Sequence, residues 1–244
     1  VSNAKLIFGT MPIGNLDDLT YNLVNHIEKA EVLAVENEET IKEIIDRYEL
    51  NFTGEIVSFS PRDFMTNGIT HDLKGVNNSG QRMSDEVMRH ISLNETVLCL
   101  SDEGSAIVQD PFDTIRQLAI SKGIKYKILP GPSSVIDSLS YSKFYYGQSF
   151  SFYGMIFYDK NKKYIYENIK NSQYPSVIFY HHEIQDIFFK ELLYHLGAEK
   201  EMTLLSNLTT QDEFMMEGKL SDIMDFVLKN RVQQPTLVIS GKEK

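Results

Sequence analysis

Short apolar runs separated by helical stretches fill the first half of the chain. Residues 5–10, 32–35, 56–59, 96–101 and 126–129 form runs of four to six residues, the length of a strand. Between the first two, Leu19, Leu23, Val24 and Ile27 recur at helical spacing and predict a helix over about residues 19–30. Residues 42–48 and 84–91 lie in two further helical stretches. Residues 111–122 make a fourth, with Pro111 suited to a first turn and Gly123 to a helix end. Strands that are apolar throughout and alternate with helices imply a mostly parallel sheet covered on both faces.

The pattern breaks at Leu129-Pro130-Gly131-Pro132, which continues neither element. After a short helix over about residues 133–140, apolar runs return at 150–157, 176–180, 202–205, 214–216 and 236–240. Helical stretches near 164–169, 184–196 and 220–228 separate them. The expected fold class is therefore α/β with two domains: a parallel-rich N-terminal domain over residues 1–131 and a mixed α/β C-terminal domain over residues 132–244. Residues 61–80 are polar and rich in Asn and Gly, and predict a long loop or flap.

Composition narrows the function classes. Hydrophobic residues make up 42% of the 244 and charged residues 24%, the balance of a soluble globular protein. No apolar run reaches the roughly eighteen residues of a membrane span. The start VSNAKLIFGT lacks the features of a signal peptide, so a cytoplasmic location is expected. Cys99 is the sole cysteine, which excludes an intrachain disulfide and a cysteine-rich metal site; in its apolar run it reads as a buried thiol. The net charge of −10 argues against whole-molecule attraction to a phosphate backbone. Lys160, Lys162 and Lys163 are the best local basic group. His181 and His182 are adjacent, would face opposite ways on a strand and cannot easily chelate one metal, so no metal is expected.

Three loops at predicted strand ends have unusual composition. The first is Thr10-Met11-Pro12-Ile13-Gly14-Asn15-Leu16-Asp17-Asp18, where Pro12 stiffens the chain and Gly14 permits close approach. The second is Ser101-Asp102-Glu103-Gly104-Ser105-Ala106-Ile107, running on to Asp110-Pro111. The third is Leu129-Pro130-Gly131-Pro132-Ser133-Ser134. In open α/β sheets ligands bind where such loops converge. None matches a P-loop or a G-x-G-x-x-G fingerprint.

In order and spacing these loops resemble the tetrapyrrole (corrin/porphyrin) methylase superfamily. Within it they are most similar to the bacterial enzymes that methylate a ribose 2′-hydroxyl of small-subunit ribosomal RNA. Those carry T-P-I-G-N-L-D-D, A-E-D-T-R, S-D-A-G-T-P and P-G-P-S-A. The likeness runs on through Ser151 to Met155, residues 176–180, Asn207-Leu208-Thr209-Thr210 with Glu213 and Gly218, and the closing Gln234-Pro235-Thr236-Leu237. It implies an S-adenosylmethionine-dependent methyltransferase with the cofactor in the cleft between two domains, a role in rRNA processing, and a homodimer. Pro12 and Gly14 would border the transferable methyl. Ser101, Asp102, Glu103, Gly104, Ser105 and Ile107 with Pro132 and Ser133 would contact the methionine and ribose parts. Phe152, Pro235, Thr236 and Leu237 would line the adenosine side. Glu36, the kept acid of A-E-D-T-R, is the candidate catalytic carboxylate.

The departures fall on the acceptor side. Glu39, Gln185, Ser206 and Thr210 stand where the family has Arg or Lys, and D-P-G becomes Asp110-Pro111-Phe112. Little or no activity on the ribose hydroxyl is expected from that loss of cations. The alternatives are a methylase for a small, tetrapyrrole-like molecule, or a cofactor-binding homologue without transfer activity.

Overall fold

The computed structural model describes residues 4–59, 78–156 and 159–242. The chain divides into two compact units, Val1–Ser133 and Ser134–Lys244, against an expected boundary two residues earlier.

The first unit carries strands β1 (Leu6–Phe8), β2 (Val32–Val35), β3 (Glu55–Ser58), β4 (Val97–Leu100) and β5 (Tyr126–Ile128). Its helices are α1 (Tyr21–Lys29), α2 (Glu38–Arg47), α3 (Asn78–Ser92) and α4 (Asp113–Ser121). The sheet order is β3-β2-β4-β1-β5 and every pairing is parallel. Every residue of the inner strands β1, β2 and β4 is buried, which is why they read as unbroken apolar runs.

Alternate residues feed opposite faces of this sheet. Leu6, Phe8, Ala34 and Cys99 join Val87 of α3 and Ile115 of α4. Ile7, Leu33 and Leu98 join Leu23 and Ile27 of α1 and Ile41 of α2. The Thr20 hydroxyl caps α1 by accepting from the Leu23 amide, and Gly123, at φ +66°, follows the last turn of α4.

One element begins earlier than the sequence indicates. Helix α3 takes in residues 78–80 of the expected loop; its first turn, Asn78-Ser79-Gly80, has no apolar residue to announce it. Residues 61–77 of that loop lie outside the described residues.

The second unit carries β6 (Ser151–Met155), β7 (Ser176–Phe179), β8 (Glu201–Ser206), β9 (Phe214–Lys219) and β10 (Thr236–Ile239). With them go α5 (Ser134–Tyr141), α6 (Lys162–Asn171), α7 (Gln185–Leu196) and α8 (Leu220–Val227). The order is β6-β7-β10-β8-β9; β6 and β7 run parallel and the other pairs antiparallel. Its core holds Tyr166, Tyr180, Phe188, Phe189, Ile223 and Leu237.

Met155, Phe179, Thr236, Leu205 and Met215 stand in one row across this sheet. Beyond the row, at one end of the sheet, the chain enters the segments after β7 and β8 and the segment before β10. No helix among the described residues is long and apolar enough to cross a membrane.

Candidate active site

In the first unit β1 and β4 are neighbours, but the chain leaves β1 toward β2 and leaves β4 toward β5. Opposite departures open a crevice at the carboxyl ends of the two strands. The loops after them are laced together there. Thr10 and Ser105 form an antiparallel bridge. The Met11 amide donates to the Gly104 carbonyl at 2.7 Å, and the Gly104 amide to the Pro12 carbonyl at 3.3 Å.

The third loop joins them. The Thr10 hydroxyl donates to the Leu129 carbonyl at 2.8 Å. Gly131 approaches Thr10 so closely that a Cβ on it would lie 2.9 Å from the Thr10 Cβ. The structure thus brings all three predicted loops together.

Within this knot the predicted residues have different tasks. Gly104 is half-buried at φ +64°, in the left-handed region. A Cβ added there would meet only Ile13 Cγ2, at 3.6 Å, so glycine leaves a cradle over Ile13. Asp102, Ser105, Gly14, Pro132 and Ser133 are half-buried and Glu103 is exposed, whereas Pro12 is buried. The buried Ser101 hydroxyl donates to the carbonyls of Glu103 and Gly104, both at 3.1 Å, and shapes the loop from within. Ile107 packs against the sheet core.

Glu36, at the end of β2, is half-buried and hydrogen-bonded to the side chain of Asp110. Burial first, then that bond and the charges of Asp110 and Asp102, push the Glu36 carboxyl up to about 9. Asp110 is also raised, to about 6, chiefly by burial, while accepting from the Phe112 amide at 2.9 Å. The two titrate as a pair that keeps a proton at neutral pH. Asp102 lies close enough to act on both and accepts from the Asn37 backbone; burial raises it too. Glu36 is therefore set apart from Glu38, which pairs with Lys42, and from the exposed Glu39.

Asp110 as the partner of Glu36 was not found by sequence reasoning. The Asp-Pro step was its only signal, and it pointed to a helix start. Cys99 is fully buried, and burial pushes its thiol up.

In the second unit the predicted segments meet at the sheet end described above. Phe152 packs edge-on to Phe179 at 5.1 Å, beside a bulge in which Gly154 takes φ +61°. Pro235 and Thr236 are buried; Leu237 is fully buried in the core and its strand is paired on both sides. The expectation for the two histidines needs correction. Strand β7 ends at Phe179 and residues 182–184 form a 3-10 turn, so the rings of His181 and His182 stack at 5.1 Å instead of pointing apart. No group of metal-binding side chains occurs among the described residues.

Of the four residues that replace the family's cations, Glu39 is exposed and the other three are engaged internally. The Gln185 amide nitrogen donates to the carbonyls of Val227 and Asn230, the Ser206 hydroxyl to Gln233, and the Thr210 hydroxyl to Asn207. Beside Gln185, Lys229 and Arg231 line an open pocket of about 280 Å³ together with His182, Glu183 and Asp186. Lys162 is paired with Glu191 at 2.7 Å.

A parallel sheet with laced loops at its switch point, followed by a second mixed sheet, defines a two-unit α/β protein with a backbone-lined hollow at Gly104. The sequence profile of the Tetrapyrrole (Corrin/Porphyrin) Methylases matches residues 5–224. The chain belongs to that family and is a methyltransferase.

Two relatives named ribosomal RNA small subunit methyltransferase I match along nearly the whole length. That of Thermotoga maritima is 25% identical over 240 residues, 98% of this chain and 99% of its own. That of Mycoplasmopsis pulmonis is 26% identical over 241 residues, again 98% and 99%. Among solved structures, uroporphyrin-III C-methyltransferase from Thermus thermophilus, complexed with S-adenosylhomocysteine, shares the fold. It has a TM-score of 0.65 and 14% identity, covering 96% of each chain. A cobalt precorrin-4 methyltransferase has a TM-score of 0.68 and 12% identity, covering 98% and 95%.

Proposed function

We propose that this chain transfers the methyl group of S-adenosylmethionine to a hydroxyl of small-subunit ribosomal RNA. The donor fits the residues present. A sulfonium with an adenosine tail calls for a concave site with few, convergent polar groups. The cradle at Gly104, where backbone and no side chain meets the space over Ile13, is the observation that carries the reading. The names of the full-length relatives support RNA as the acceptor.

The methyl is already activated by the positive sulfur when the donor is bound, so the protein's work is to orient donor and acceptor in line. In this proposal Pro12 and Gly14 border the methyl, and residues 102–105 with Pro132 and Ser133 hold the donor. Glu36, with Asp110, is the carboxyl pair at the reacting hydroxyl. When bound, the donor would supply the activated methyl, and the ionised Asp110 of the pair, with Glu36 protonated, would take up the proton that the acceptor hydroxyl gives up.

Because Gln185, Ser206 and Thr210 replace cations and are engaged internally, transfer to RNA is slower here than in relatives that keep them. Tritiated S-adenosylmethionine and undermethylated small ribosomal subunits test this. The expected result is incorporation into the RNA more than about tenfold slower than by the Thermotoga maritima relative, a loss equal to about 1.4 kcal/mol in the barrier. Label entering a tetrapyrrole and not the RNA would overturn the acceptor.

A further inference from the structure

Gln185 stands where the resemblance places a cation, and it has a different task. It opens α7 and is 8% exposed. Its amide nitrogen donates to the carbonyls of Val227, the last residue of α8, and of Asn230, the second at 3.1 Å. Its amide oxygen accepts from the Val232 amide at 3.5 Å. One buried side chain thus clamps residues 227–232 at three points. The amides of Lys229 and Asn230 and the side chain of Asn230 all donate to the Phe226 carbonyl, at 3.1, 3.0 and 2.9 Å. Backbone fixed in this way loses little further freedom when a ligand meets it.

The clamped segment carries Lys229 and Arg231, both exposed at the open pocket of about 280 Å³. Arg47, Arg89 and Arg116 are each held by a carboxylate at 2.6–2.7 Å. Among the described residues neither Lys229 nor Arg231 is in an ion pair, although Glu183 and Asp186 line the same pocket. In a chain of net charge −10, these two neighbouring cations are open to an anionic ligand.

The other side chains at the pocket define that ligand further. Glu183 and Asp186 repel a free anion, but they accept hydrogen bonds from ribose hydroxyls and base amino groups. His182 lines the pocket with its ring stacked on His181 at 5.1 Å, and histidine is among the rings on which unpaired RNA bases stack. The volume lies just below the range of about 300–1,000 Å³ usual for ligand pockets. It suits one unit of a longer chain better than a whole tetrapyrrole.

We propose that this pocket of the second unit holds one nucleotide of a single-stranded RNA segment, with its phosphate on Lys229 and Arg231 and its base or ribose against His182, Glu183 and Asp186. The inference rests on the RNA acceptor proposed above and names where RNA is held. Lysine and arginine grip phosphate through charge-assisted hydrogen bonds. Binding of this kind is present before and during methyl transfer alike, so it retains the RNA without restoring the rate lost with the missing cations.

The test uses the whole chain as wild type, as a pocket variant and as a control variant. The pocket variant combines Lys229→Gln with Arg231→Gln. The control combines Lys122→Gln with Lys125→Gln, the same change of charge at exposed positions of the first unit. Affinity for undermethylated small ribosomal subunits is followed by co-sedimentation across a salt series, and Tm by circular dichroism. The pocket variant should bind the subunits at least about tenfold more weakly, with a slope of log affinity against log salt shallower by about one. Its Tm should stay within about 2 °C of wild type, because both side chains are exposed. The control should lose less than about threefold in affinity.

An equal loss in the control, or unchanged subunit affinity in the pocket variant, overturns the inference alone. Micromolar binding of inorganic phosphate in calorimetry, abolished in the pocket variant, also overturns it, because the pocket then serves a free anion. A wild type that binds no small subunits overturns the RNA acceptor and this inference with it.

Discussion

Glu36 shows how a single carboxyl becomes unusual. It is half-buried beside Asp110 and near Asp102, three acids without a partner cation among the causes that set its proton affinity. Its native pKa is raised from the ordinary 4.5 to about 9, so between those values the folded chain holds a proton that the unfolded chain has released. Stability contributed by that proton is complete below about 4.5 and is lost as pH rises through about 9. Glu36→Gln keeps the hydrogen-bonding shape without the ionisable group. Its Tm should match wild type near pH 4.5 and exceed it increasingly toward pH 9; parallel Tm curves for the two proteins across that range would show that the pair is not buried as described. The sequence pointed to Glu36 through the kept acid of a motif. It could not point to Asp110, because nothing in linear order says that the end of β2 will meet the residue before Pro111.

At the scale of elements, patterning was a good guide wherever one physical rule dominated. Strands β1, β2 and β4 are buried on both faces and read as continuous apolar runs, and α1 has Leu23 and Ile27 at helical spacing toward the core. It failed where polar residues form structure. The first turn of α3 has no apolar residue, and the 3-10 turn after β7 brings two histidine rings together that a strand would have parted. Helix α7 offers the clearest energetic check. Phe188 is fully buried, stacks on Tyr180 at 5.1 Å and meets Phe189 edge-on at 5.9 Å. Phe188→Ala should cost about 3–5 kcal/mol in urea unfolding; a loss under about 1 kcal/mol would mean the second unit does not pack around this cluster.

The whole molecule adds charge and assembly. A net charge of −10 sets a repulsive background for RNA, and the internal bonding of Gln185, Ser206 and Thr210 shows why sequence alone found no substitute for the missing cations there. Lys229 and Arg231 beside Gln185 became visible only through the fold. We propose that the chain works as a homodimer, as the family resemblance implies. Light scattering should then return about twice the chain mass of 28.0 kDa at micromolar concentration, and a monomer mass would reject it. The central claim is that the laced loops after β1 and β4 hold S-adenosylmethionine, and calorimetry with that donor tests it most directly. Wild type should bind one molecule per chain in the micromolar range, roughly −8 kcal/mol. Gly104→Val, which places a branched side chain in the cradle at φ +64°, should lose most of that affinity while keeping its fold by circular dichroism. Full-strength binding by Gly104→Val, or no binding by the wild type, would contradict the account.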